Sequence, residues 1–141
     1  LVYIDAALPT DGEAMLDIVS AERKKTVIAL AQEHGDGYRV PQTLVLETGI
    51  DDETERKNFL NRMCPHPLGA LMQPINLTGD FRKVPRKAYV FAARNDSHRF
   101  REYRDWAAGQ PDWIAETMDT WHFPMVTRTQ ETADLLNRVV T

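Results

Sequence analysis

The chain has 141 residues, 43% of them apolar and 27% charged, with a net charge of −4, which suits one soluble domain with a core of its own. The acidic balance supplies no basic patch for nucleic acid, and no apolar run approaches the ~20 residues that span a bilayer. The single cysteine, Cys64, rules out an internal disulfide and fits a reducing, cytoplasmic setting. In chain order, Leu1-Val2-Tyr3-Ile4 is a continuous apolar run ended by Asp5, the pattern of a parallel-sheet strand buried on both faces. A start at Leu rather than Met, already strand-like, is expected to mark a cut through a longer chain, with any targeting segment upstream. Pro9, Asp11 and Gly12 give a loop, and 13–19 reads as a short helix.

Ser20 can cap a longer helix running to about His34, where Gly35 and Gly37 stop it. Residues 38–48 contain Pro41, show no clear period and read as loop. Asp52 can cap a helix over 53–63, whose Phe59, Leu60 and Met63 share one face. Pro65 and Pro67 break it, and 66–73 fits another turn or two of helix. The last third changes character. Residues 86–93 read as a strand, 99–107 as a helix with Phe100, Tyr103, Trp106 and Ala107 at helical spacing, and 113–118 as a short strand. Thr127-x-x-Gln130 has the form of a capping box, and Thr132, Leu135, Leu136 and Val139 form the buried stripe of a final helix. Strand, helix, strand, helix predicts parallel strands joined by a right-handed crossover. Residues 1–8 are thus expected as a core strand, 9–84 as a helical insertion over the strand ends, and 85–141 as the rest of the core.

In open parallel sheets, ligands bind beyond the carboxyl ends of the strands. Asp96 follows one such end and His122 the next. An imidazole there can take a proton from a serine hydroxyl and return it to a leaving group, while a carboxylate on its other nitrogen fixes the tautomer. The order Asp…His is the last two-thirds of a Ser…Asp…His triad. The nucleophile is not present: the chain holds two serines, Ser20 and Ser97, and no Gly-x-Ser-x-Gly. Without that chemistry, His122 is a loop histidine and Asp96 a helix cap. Cys64 and His66 do not make a metal site, and Asn76-Leu77-Thr78 is a triplet common by chance. Met15, Leu16, Leu71, Met72 and Trp106 are better explained by helix packing than by an acyl pocket.

The stretch from Leu1 through Asp5 and Pro9 to Glu13 resembles the strand and turn after the nucleophile elbow of α/β-hydrolases, in the methylesterase and hydroxynitrile-lyase branch with its bacterial members. Arg39-Val40-Pro41, Pro65-His66-Pro67-Leu68 and Gln73-Pro74 resemble the cap of those members. Arg94-Asn95-Asp96 is similar to the acid position, and His122-Phe123-Pro124-Met125 to the histidine loop. The resemblance spans nearly the whole chain, and order and spacing carry it more than any one motif. It implies the C-terminal half of an α/β-hydrolase parallel sheet with an inserted helical cap. His122 would be the catalytic base and Asp96 its acid partner, with Asp119 and Asp5 open as alternatives because the acid position varies among the bacterial members. The serine and the oxyanion amides would lie upstream of Leu1. The implied parent is a serine-type carboxylesterase acting on a small-molecule ester, with no cofactor and no metal, and 1–141 alone is expected to be inactive. Neither nucleic acid nor membrane is expected as a partner, and the oligomeric state is open, a dimer included. Lyases of the branch carry a lysine after the histidine; Phe123 stands there, which favours an esterase. A small-molecule receptor on the same fold is the remaining alternative.

Overall fold

The computed structural model describes residues 1–42, 47–95 and 97–140. The chain divides into two compact units. One comprises Leu1–Leu8, Glu47–Ile50 and Thr78–Thr141, the other Pro9–Leu46 and Asp51–Leu77.

The first unit is built on a parallel three-stranded sheet of β1 (Val2–Ile4), β4 (Lys87–Ala92) and β5 (Trp113–Met118), in the order β1-β4-β5. Val2 pairs with Ala88 and Ile4 with Val90 on one side of β4; Lys87 pairs with Trp113 and Ala92 with Met118 on the other. All six residues of β4 are buried, as expected of a middle strand covered on both faces. Its side chains alternate. Ala88 and Val90 pack with Leu135 and Val139 of α6 (Thr129–Val140), while Tyr89 meets Tyr103 of α4 (His98–Ala108) at 6.2 Å between ring centres. Ser97 caps α4, its hydroxyl accepting from the Phe100 N–H at 3.3 Å. The capping box expected at Thr127 does not form. Pro124 begins a helical turn earlier, in α5 (Pro124–Thr127). The Thr127 hydroxyl is then taken by Thr120 Oγ1 at 2.7 Å and the Phe123 carbonyl at 3.2 Å.

In the second unit, a 3-10 turn (Met15–Asp17) leads to α1 (Ala21–His34), capped by Ser20, whose hydroxyl accepts from the Arg23 N–H at 3.1 Å. The stop at Gly35 is steric. A Cβ there would lie 1.7 Å from the Arg39 carbonyl oxygen, so the chain can double back only with glycine. The region read as loop after Tyr38 holds a two-residue strand instead: β2 (Arg39–Val40) pairs antiparallel with β3 (His66–Pro67), a ladder too short to leave a period in the sequence. Val40 joins Leu16, Val27, Ala31 and Leu68 in the unit's core, and Leu68 begins α3 (Leu68–Met72). Asp52 caps α2 (Glu53–Leu60) by accepting from the Glu55 N–H at 2.8 Å. That helix stops three residues short of the expected 63, closing with the Met63 N–H on the Leu60 carbonyl as the chain approaches Pro65. Among the described residues no helix is long and apolar enough to cross a membrane.

Candidate active site

All three strands of the parallel sheet contribute to a shared network at its carboxyl end. Asp5 ends β1. Its N–H still donates to the Val90 carbonyl at 2.7 Å, extending the ladder by one bond. Its φ is then +44°, a left-handed conformation that aspartate tolerates better than most side chains and that often marks functional sites. The turn sends the carboxylate inward, where its side chain is 0% exposed. A buried carboxylate needs donors, and three converge on it. The Ala92 N–H donates to Oδ1 at 3.0 Å, Asn95 Nδ2 donates to Oδ2 at 2.6 Å, and His122 Nδ1 lies 2.7 Å from the same Oδ2. Ala92 ends β4, Asn95 lies in the turn after it, and His122 follows β5. Because Asp5 can only accept, the proton of a neutral His122 is assigned to Nδ1.

The loop that carries His122 is fixed from several sides. The Ala93 and Arg94 N–H groups donate to the Met118 and Thr120 carbonyls at 2.9 and 3.0 Å. The Arg94 guanidinium forks onto Asp119 with two 2.8 Å bonds, and this pairing holds the Asp119 carboxyl below its ordinary value. Thr120 is buried on Thr127. Trp121 lies on the backbone of Gly49, at which φ is +66° and a Cβ would come within 2.0 Å of the indole. The imidazole stacks against Phe100, its ring centre 6.3 Å away, and meets Phe123 at a steep tilt, ring centres 4.8 Å apart. Next to the network, the Tyr89 hydroxyl donates to the Ala6 carbonyl at 2.7 Å. Burial, and then the charge of Asp5, push that phenol's pKa well up, so it stays a donor.

Of the residues expected from sequence, His122 is half-buried with its ring aligned on a carboxylate. Asp96 lies outside the described residues. The carboxylate that the described residues bring to His122 is Asp5, one of the two alternatives; the other, Asp119, is bound to Arg94. Both serine hydroxyls are helix caps. Cys64 is exposed, His66 Nδ1 lies 3.1 Å from the Pro67 carbonyl, and no cluster of three or more metal-binding side chains occurs among the described residues. Asn95 joins the site with no motif of its own; its one mark in the sequence is a place just past a strand.

Chemically, a buried anion on Nδ1 keeps the proton there and leaves the Nε2 lone pair free. It also stabilises the imidazolium that forms when Nε2 takes a proton. Nε2 has no hydrogen-bond partner among the described residues, and the His122 side chain is 31% exposed. An imidazole held in this way can serve as a base. Two clefts of about 240 and 260 Å³ open around Pro85, Arg86, Lys87 and Val139 at the amino end, and neither is lined by His122 or Asp5.

No family model matches the sequence, and no curated protein does. Among solved structures, the chain is similar to an extracellular α/β-hydrolase from a Paenibacillus species, described as sharing structural and functional homology with tobacco salicylic acid binding protein 2. The TM-score is 0.74 at 18% identity, covering 98% of this chain and 60% of that one. The chain thus spans about 60% of the length of the structure it matches. The fold is that of the C-terminal part of an α/β-hydrolase: a mixed α/β arrangement around three parallel strands.

Proposed function

We propose that the full-length protein is a serine-type carboxylic ester hydrolase in which His122 is the general base and then acid, and Asp5 the carboxylate that orients it. The observation that carries this reading is the 2.7 Å contact between His122 Nδ1 and a fully buried Asp5. Nε2 takes the proton of a serine hydroxyl supplied from outside residues 1–141 as that oxygen attacks the ester carbonyl. It returns the proton to the departing alcohol, leaving an acyl-serine. Water then repeats the sequence and releases the acid. Residues 9–84 are read as the cap that selects the ester, and 1–141 without the serine as inactive. Asp96, the acid expected from sequence, is the alternative partner for His122, and D5N and D96N compared side by side separate the two.

Phe123 against the imidazole puts no charge where a cyanide-handling lysine would stand, which supports an esterase over a lyase. The chemistry described requires no cofactor. The cytoplasmic setting keeps one support, the single thiol of Cys64, whereas the similar Paenibacillus protein is extracellular; export of the full-length protein by its host would overturn it. The test of the activity is a burst of p-nitrophenolate from p-nitrophenyl acetate, with kcat/KM falling ~10³-fold or more in H122A while the fold is retained. Undiminished turnover in H122A would sink the assignment. The stated likeness of the Paenibacillus protein to a salicylic acid binding protein favours one second reading, a receptor. Saturable binding of salicylate by a full-length protein with no ester turnover would select it.

A further inference from the structure

We infer that Asn95 is a positioning residue that acts on His122 through Asp5, an inference that rests on the hydrolase reading above. Asn95 Nδ2 donates to Asp5 Oδ2 at 2.6 Å, the same oxygen that His122 Nδ1 approaches at 2.7 Å. The two nitrogens are 3.4 Å apart. With Nδ1 protonated both are donors, so they do not bond to each other and lie side by side on one oxygen. A carboxylate oxygen offers two lone-pair directions. The amide of Asn95 fills one and leaves the other for the imidazole. Oδ1 is meanwhile held by the Ala92 N–H at 3.0 Å, so the carboxylate cannot rotate to offer His122 a different oxygen.

Asn95 is itself held on both sides by backbone bonds. Its N–H donates to the Ala92 carbonyl at 3.1 Å, and its carbonyl accepts from the Ser97 N–H at 2.6 Å. Asn95 follows the middle strand of the three. His122, carried by the far strand, must reach across it to Asp5 on the near one. An apolar side chain at 95 would leave half of a buried anionic oxygen without a donor, and a carboxylate there would repel it.

The experiment compares N95A, N95D and D5N in the full-length protein. It reads kcat and KM for p-nitrophenyl acetate, the melting temperature, and the low-field proton resonance of His122 Nδ1–H. N95A lowers kcat about tenfold with KM changed less than about twofold, a hydrogen bond to a charged group being the size of effect removed. Its Nδ1 proton broadens into exchange with water at a temperature where the parent signal is sharp. N95D keeps the shape of the side chain, loses the donor and adds a charge, and falls further, by roughly 100-fold. A role in shape alone gives the reverse order, with N95D above N95A, and overturns the inference. So does parent-like kcat together with a sharp Nδ1 proton in both variants. If D5N loses activity while both Asn95 variants keep it, this inference fails and the hydrolase reading stands. If D5N keeps parent activity, the pairing of His122 with Asp5 falls and the inference falls with it. The NMR readout needs no turnover, so a variant of low activity is still decided by it.

Discussion

The two ends of the parallel sheet each bury an ionised side chain, and they treat it differently. At the carboxyl end, Asp5 is enclosed and takes bonds from one backbone amide, one side-chain amide and one imidazole, supplied by the two other strands or the turns that follow them. At the amino end, Lys87 of β4 is 2% exposed. Its ammonium donates to the Val84 carbonyl at 2.7 Å and pairs with Asp112, whose side chain is 49% exposed. The Lys87 pair points one partner at solvent and leaves nothing reactive behind. The Asp5 network hides the charge and directs its effect through His122 to Nε2, which has no hydrogen-bond partner among the described residues. Buried charge alone therefore does not mark the site. What marks it is a buried anion with three donors, one of them the ring of a partly exposed histidine.

The largest expected effect is at Asp5. D5N removes the charge but not the shape and puts an amide where donors converge. Kcat/KM for ester hydrolysis should fall about 10³-fold as the histidine loses its preferred tautomer. A change below about tenfold would put the two ends of the sheet on the same footing. Next in size is G49A, which forces a methyl group into Trp121 beside His122 at a left-handed position. We expect ~2 kcal/mol lower stability in denaturant unfolding and a loss of turnover with it. An unchanged midpoint would mean that Trp121 can move freely.

At the amino end the expected effects are smaller and leave activity alone. D112A leaves the Lys87 ammonium only the Val84 carbonyl and lowers the melting temperature, with ester turnover per folded molecule unchanged. K87M, which replaces the ion by an apolar chain of similar length, shifts stability by ~1 kcal/mol or less in either direction. The pair also has a pH signature. Lys87 holds the Asp112 carboxyl below its ordinary value. The pair's contribution is therefore fully present above the carboxyl's unfolded-state value and is lost as pH falls through the depressed folded one. The melting-temperature difference between D112A and the parent should close in acid and stay constant from mildly acidic to neutral pH. A difference that persists in strong acid would show that Asp112 stabilises by packing rather than by charge.

Much of this was readable in the sequence because the signals are local. The unbroken apolar run of β4, the Ser20 and Asp52 caps and the aromatic spacing of α4 each announce an element within a dozen residues. The address of His122, just past a strand, is local too. Its hydrogen-bonding partner was not readable in the same way. Asp5 is 117 positions from His122, and three carboxylates, at 5, 96 and 119, have comparable addresses at strand ends. Choosing among them requires the strand order, which sets β1 beside β4, and the positive φ that turns Asp5 inward; neither leaves a mark in composition or period. Asn95 was hidden by chemistry. An amide beside a carboxylate in the sequence reads as turn, and only the shared oxygen reveals it as a donor. The failed box at Thr127 shows the converse. Its motif is present, but Pro124 starts a helical turn first and the hydroxyl is used to tie down the loop of His122.

In the proposed mechanism Asp5 fixes the proton of His122 on Nδ1. Nitrogen-15 NMR of histidine-labelled protein, at a pH where the imidazole is neutral, tests it most directly. The expected spectrum shows a protonated Nδ1 and a bare Nε2 for His122 in the parent, with the preference lost in D5N. A parent His122 carrying its proton on Nε2, or a tautomer balance that D5N leaves unchanged, would contradict it.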